Sequence, residues 1–264
     1  MAISAAPAQT AQHMPRAVLS ARGLSKKFGN FQAVQDVDID IHHGRVHALI
    51  GPNGAGKSTV FNLLTKFHQP SGGQILFDDT DITRLDPARV ARLGIARSFQ
   101  ISAIFGDMSL LENVCIALQR TKGLSTQFWR PLASLNRLRP RALDLLDQVG
   151  LAPMADRRAA DLSYGRKRAL EIATTLALEP RVLLLDEPLA GMGQEDVEAM
   201  AGLIATVAKD CAVLMVEHNI KVVADIGQDI TVLQRGQILA RGDYVQVSND
   251  PRVREAYMGA EDDD

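Results

Sequence analysis

Val46-His47-Ala48-Leu49-Ile50-Gly51-Pro52-Asn53-Gly54-Ala55-Gly56-Lys57-Ser58-Thr59 is the stretch that decides how this chain folds. Residues 46 to 50 form an apolar run of strand length. Gly51 to Ser58 then fit the pattern G-x-x-x-x-G-K-[ST]. From 57 to 66 the spacing predicts a helix with Val60, Leu63, Leu64 and Phe67 on one face. The residue types suit an anion. Glycines let backbone N–H groups converge on one point and let a phosphate approach closely. The helix adds its positive N-terminal end. Lys57 can reach the β- and γ-phosphates, the Ser58 hydroxyl can hold Mg2+, and Thr59 completes the cradle. An apolar strand before the loop and an amphipathic helix after it predict an α/β protein that binds ATP with Mg2+.

Working outward, Asp36 to Ile41 alternates with period two. Val37, Ile39 and Ile41 share one face, which predicts a half-buried antiparallel strand. His43-Gly44 reads as a turn. Asp86-Pro87 starts a helix that Gly94 ends. Residues 109 to 119 predict an amphipathic helix, and Leu143 to Val149 another. Between them, 120 to 140 is basic, carries Trp129, Pro131 and Pro140, and reads as a loop or short helices. Val182 to Leu185 and Val213 to Val216 are short all-apolar runs, as expected of parallel strands covered on both faces. Ile230 to Leu233 and Gln237 to Ala240 flank the Arg235-Gly236 turn and predict a hairpin. Asp250-Pro251 starts a last short helix.

The 264 residues are 46% apolar, enough for one large domain with a subdomain. The formal net charge is -2, without the basic excess of a nucleic-acid surface. Two distant cysteines, Cys115 and Cys211, make neither a metal spacing nor a disulfide framework, which points to a reducing compartment. Cys211 reads as core packing. Residues 1–17 predict a disordered extension without secretory-signal character, and 260–264 a solvated acidic tail. No apolar run reaches the ~18 residues that a membrane span needs.

A second acidic site stands at Leu183-Leu184-Leu185-Asp186-Glu187-Pro188. Asp186 ends an apolar strand, where it could hold Mg2+ through water. Glu187 could polarise the attacking water. Upstream, Leu162-Ser163-Tyr164-Gly165-Arg166 opens a helix expected over 168–177. A serine hydroxyl, a glycine N–H and a helix N-terminus make a further anion site. This segment resembles the LSGGQ signature of ABC-type ATPases, with Tyr164 and Arg166 at two variant positions.

That resemblance implies a P-loop NTPase (RecA-like) core with a mainly parallel sheet. To it are added an N-terminal antiparallel β subdomain and a helical insertion. The core is expected over 18–101 and 163–259, and the insertion over 102–162. It further implies that Ser163, Tyr164 and Gly165 face the γ-phosphate held by another subunit. Gln100, in Ser98-Phe99-Gln100, corresponds to the glutamine that ligates Mg2+ where the insertion joins. His218, in Val216-Glu217-His218-Asn219, corresponds to the switch histidine, so Glu187, His218 and Gln100 form the expected catalytic set. Ser58, Gln100 and Asp186 form the expected metal set. Phe28 stands where the family stacks a ring on adenine, with a core phenylalanine as the alternative. Arg166, Lys167 and Arg168 add positive potential or form a solvated basic turn. His13, His42, His43, His47 and His68 read as surface or loop histidines. Many members carry an aspartate where Gly193 stands, which puts that side chain's contacts across the dimer in question.

Softer motifs narrow the resemblance. They are Gly94-Ile95-Ala96-Arg97-Ser98-Phe99-Gln100, Arg168-Ala169-Leu170-Glu171-Ile172-Ala173 after the signature, Ala190-Gly191, and the ending Asn249-Asp250-Pro251 through Glu255-Ala256-Tyr257-Met258-Gly259. They resemble the ATP-binding subunits of branched-chain amino acid importers, of the larger subunit type. The resemblance implies a dimer of this chain with itself or a paralogous ATPase. It also implies two membrane permease subunits, an indirect link to a substrate-binding protein, and a place on the cytoplasmic face of the plasma membrane. Importers of urea, amides or aromatic acids, and soluble ABC ATPases, are the neighbouring readings. A P-loop GTPase would carry Asn-Lys-x-Asp, which is absent.

Overall fold

Two sheets carry the chain. The computed structural model describes residues 16–98, 104–121, 137–218 and 223–258. Gln100, His13, the expected terminal extensions up to 15 and from 260, and most of the basic 120–140 segment lie outside the described residues.

The first sheet is antiparallel. β1 (Ala17–Phe28) pairs with β2 (Phe31–His42) and with β4 (Gly72–Phe77), and β4 pairs with β5 (Thr80–Asp81). The alternation in β2 places Val37, Ile39 and Ile41 in the core as expected. The second sheet has the order β10-β9-β3-β8-β7-β6. Its strands are β3 (Val46–Ile50), β6 (Ile95–Arg97), β7 (Val182–Asp186), β8 (Ala212–Val216), β9 (Asp229–Gln234) and β10 (Gln237–Gly242). Only the β9–β10 hairpin is antiparallel; the other neighbours run parallel.

The apolar runs of β7 and β8 follow from burial on both faces. Leu183, Leu185, Val213 and Met215 join one core cluster, with the helical region. Val182, Leu184, Leu214 and Val216 join another, with the antiparallel sheet. A run without polar alternation is what a strand covered on both sides requires.

The helices are α1 (Lys57–Leu64), α2 (Pro87–Arg92), α3 (Leu110–Thr121), α4 (Arg139–Gln148), α5 (Tyr164–Leu176), α6 (Gln194–Val207), α7 (Tyr244–Asn249) and α8 (Pro251–Met258). Asp86 caps α2 by accepting from the Arg89 N–H at 2.9 Å. Helix α4 starts four residues before the expected Leu143, because Pro140 falls in its first turn, where a missing N–H costs nothing.

Three further expectations are corrected. Helix α1 ends at Leu64, not at 66. The Thr65 hydroxyl bonds back to the Phe61 carbonyl at 2.9 Å, and Lys66 takes a left-handed φ of 64°. That turn swings Phe67 out to 60% exposure, and Phe61 fills the core instead. His42 and His47 are buried, not surface residues. They lie on strands β2 and β3, and His47 Nε2 meets the Thr231 hydroxyl at 2.9 Å. Helix α5 begins at Tyr164, a turn before the expected 168, with Ser163 as its N-cap residue.

Candidate active site

Strand register levels the parts of the site. Leu49 of β3 pairs with Val216 of β8, and Val216 pairs with Asp186 of β7. The loop after β3, the turn after β7 and the turn after β8 therefore emerge side by side at one edge. Ligand crevices of α/β sheets sit at these carboxyl ends.

The loop's shape depends on glycine. Gly51 has φ 150° and Gly56 φ 101°, and a Cβ would stand 2.2 Å from the Leu233 carbonyl oxygen at the first and 2.8 Å from that of Ala33 at the second. The loop is also stitched from below by the β9–β10 turn. The Gly236 N–H donates to the Ala55 carbonyl at 2.9 Å, and the Gly236 carbonyl accepts from the Gln35 N–H at 2.8 Å. Helix α1 has no side-chain cap and no acidic residue in its first turn, so its N-terminal end is left to an anion. Lys57 is buried and donates to the carbonyls of Gly51 at 2.6 Å and Pro52 at 3.0 Å. Burial lowers its pKa, while Glu187, Glu217 and Asp186 pull it back up. Ser58 is exposed and Thr59 half-buried.

Asp186 is nearly buried, and Arg97 Nη2 lies 3.2 Å from its carboxylate. Burial raises its pKa, and Arg97 opposes that rise. Arg97 also donates to Asn62 of α1 at 2.9 Å and lies over the rings of Phe61 and Phe67. Glu187 sits in the left-handed region at φ 47°, its N–H held by the Val216 carbonyl at 3.0 Å. Its carboxylate is half exposed, with His218 Nδ1 3.9 Å away. Glu217 is buried, accepts from the Leu189 N–H at 3.2 Å, and has its pKa raised by burial.

The loop, Asp186, Glu187 and His218 are thus brought together. Ser163, Tyr164 and Gly165 are not: among the described residues no hydrogen bond or ion pair joins them to that group. The Ser163 side chain makes no cap bond and Tyr164 is exposed. Gly165 is packed against Asp196, whose carboxyl carbon would meet a Cβ there at 2.8 Å. Arg168 is used within its own helix, bonding Glu171 at 2.9 Å and lying over the Tyr164 ring. Phe28 is 43% exposed, which excludes the core alternative. Its ring meets His68 edge-on at 5.3 Å, and Lys26 Nζ lies 5.0 Å from the ring centre. Gly193 is the N-cap residue of α6, and Glu195 and Asp196 supply acid to that helix's first turn.

Two residues of the site went unassigned by sequence reasoning. Arg97 stood in the motif before Gln100 and Glu217 beside His218, but neither had a partner legible in the sequence.

A family model described as ABC transporter matches residues 34–190, and one described as branched-chain amino acid ATP-binding cassette transporter matches residues 237–263. The chain is 38% identical over 255 residues to the Escherichia coli K12 high-affinity branched-chain amino acid transport ATP-binding protein LivG, covering 93% of this chain and 99% of that protein. The Pseudomonas aeruginosa counterpart BraF is 38% identical with the same coverage. Among solved structures, the ADP conformation of MJ1267, an ATP-binding cassette of an ABC transporter, superposes with TM-score 0.80 at 30% identity, over 92% of this chain and 99% of that one.

Proposed function

The chain belongs to the ABC transporter family and is an ABC-type ATPase, and we propose that it powers import of branched-chain or other hydrophobic amino acids. The observation that carries the substrate class is the similarity to LivG along nearly the whole of both chains, the separately matched C-terminal block included.

The site residues take these roles. The loop from Gly51 to Thr59 and the α1 N-terminus hold the phosphates, and Phe28 offers its exposed ring to the adenine. Glu187 polarises the attacking water, and His218 senses the γ-phosphate. An exposed hydroxyl and a nearly buried carboxylate are oxygen donors of the kind Mg2+ takes, so Ser58 and Asp186 fit that ion, with Gln100 as their expected companion. When bound, Mg2+ neutralises charge on the phosphate oxygens.

The separation of Ser163–Gly165 from this group supports a shared site. The signature of one copy, or of a paralogous ATPase, closes over the nucleotide of another. Partners in the membrane have a place to dock as well. A groove of about 640 Å3 runs between α2, β6 and the 178–181 turn, and Phe67, Val90 and Leu93 line it beside Arg97 and Arg120. Phe67 and Leu93 are exposed there, which suits an apolar coupling segment of a permease. Among the described residues no helix is long and apolar enough to cross a membrane. We place the subunit at the cytoplasmic face of the plasma membrane, held by two permeases and served indirectly by a substrate-binding protein.

Uptake of labelled leucine by cells lacking their own branched-chain importer ATPases tests the substrate. Restoration by this chain, and none by Glu187→Gln, is expected. Restored uptake of an amide or urea without leucine would overturn the substrate class and leave the ATPase standing.

A further inference from the structure

The turn that carries Glu187 is held by the end of strand β8. The Glu187 N–H donates to the Val216 carbonyl at 3.0 Å. Pro188 has no N–H to give. The next one, at Leu189, donates to the Glu217 carboxylate at 3.2 Å. The Ala190 N–H then closes the turn on the Glu187 carbonyl at 3.2 Å. Two successive residues, Val216 by its backbone and Glu217 by its side chain, thus grip the chain on either side of Pro188.

Glu217 is also joined to the strand that feeds the phosphate loop. Its own N–H donates to the carbonyl of Leu49, two residues before Gly51, at 3.1 Å. Its backbone is therefore tied to β3 and its side chain to the turn after β7. A carboxylate at 2% exposure is costly, and an apolar side chain would fill the space without that cost. The bond to Leu189 gives the acid a purpose. Leu189 is itself buried, and without Glu217 its N–H would lack an acceptor. Glu187 depends on the same turn. Its φ of 47° is one that a residue with a side chain keeps only where its surroundings impose it. Its side chain is half exposed, so the backbone of the turn fixes where the carboxylate starts.

We propose that Glu217 is a positioning residue for hydrolysis: by accepting the Leu189 N–H it holds the 187–190 turn, and with it the Glu187 carboxylate, in a fixed place relative to the phosphate loop. This deepens the ATPase reading and rests on Glu187 as the group that polarises water. Glu217 acts through Glu187 and needs no contact with the nucleotide. Nucleotide affinity is therefore independent of it, whereas the rate of the chemical step is not.

The test compares Glu217→Met, which keeps the length and removes the acceptor, with Glu217→Gln, which keeps an acceptor oxygen. Both are made in the full chain and read by the Kd for ATP with Mg2+ and by the rate of single-turnover hydrolysis. Glu217→Met should hydrolyse ATP about 10- to 100-fold more slowly, the scale of loss when a reacting group is misplaced by up to about 1 Å. Its Kd should stay within about twofold of wild type, because only the chemical step has lost an interaction. Glu217→Gln should recover the rate to within about threefold of wild type. In a Glu187→Gln background, adding Glu217→Met should change the residual rate less than about twofold, since no base is left to position. Glu217→Ala, with the same expectation as Glu217→Met, covers misfolding of the longer variant. A wild-type rate in Glu217→Met beside a slow Glu187→Gln would overturn the proposal alone. So would a Glu217→Gln as slow as Glu217→Met, which would make the charge and not the hydrogen bond the active feature. Loss of nucleotide binding in both the Met and Ala variants would make Glu217 part of the fold and overturn its positioning role. Normal hydrolysis in Glu187→Gln would instead overturn the reading of Glu187 on which the proposal rests.

Discussion

Arg97 and Asp186 form an ion pair of 3.2 Å with both side chains largely withdrawn from water, at 16% and 11% exposure. The same guanidinium lies over Phe61 in the core and over Phe67 at the rim of the groove. One side chain thus touches the carboxylate proposed to hold Mg2+ and the wall proposed to receive a permease.

Removing one member of a partly buried pair leaves the other charge uncompensated. Arg97→Met keeps the stacking volume and removes the charge. It should cost roughly 2 kcal/mol of stability, and the Asp186 carboxyl should titrate still higher. Added Mg2+ and nucleotide should then raise Tm by more than they do in wild type. Thermal melts with and without ligand check this, and equal Tm values for variant and wild type would show that the pair carries no weight.

Glu187→Gln keeps the size of the side chain and removes the base. ATP binding should persist while turnover falls on the order of 100-fold or more, with the protein accumulating as a closed dimer in ATP. Single-turnover hydrolysis and size-exclusion chromatography read the two effects. Normal turnover would take Glu187 out of its role.

Lys57→Ala removes a buried cation within reach of the phosphates. Charge-assisted bonds of this kind are worth about 1.5–3 kcal/mol each, so the Kd for ATP should weaken on the order of 100-fold. Isothermal titration measures it. Affinity close to that of wild type would count against the loop as the phosphate site.

Acid should destabilise the fold through His47. Burial lowers its pKa to about 4, from an ordinary value of 6.5. The unfolded chain binds the proton more readily, so stability rises with pH across this window and is lost as pH falls from about 6.5 towards 4. The full effect is up to about 3 kcal/mol at the acid end. Urea titrations at pH 7, 5.5 and 4.5 should show the loss, and His47→Gln should flatten it.

Much of the site was legible because its chemistry is local. The glycine loop, the strand ending in Asp186 and the turn carrying His218 are each contiguous, and the sheet levels their ends. What escaped depends on single backbone torsions or on distant partners. Phe67 fits the helical face by spacing, but the left-handed Lys66 precedes it and turns it outward. His42 and His47 are polar residue types, read as surface or loop on that ground, yet their strands pack them inside. Arg97 and Asp186 are 89 positions apart, and only the β6–β7 pairing brings them together. For the signature the converse holds: its residues are legible, but the partner proposed for them lies in another chain.

The bond from the Gly236 N–H to the Ala55 carbonyl gives the nucleotide cradle a place in time. Its binding residues are translated early, but its underside is supplied some 180 residues later. Strand β3 likewise waits for β8 and β9 on either side. Such long-range pairing is slow to form and comes late. During synthesis the cradle is therefore an open loop until the final hairpin has left the ribosome. Nucleotide can act as a folding ligand only on a nearly finished chain, and a truncated chain lacking that hairpin gains nothing from ATP.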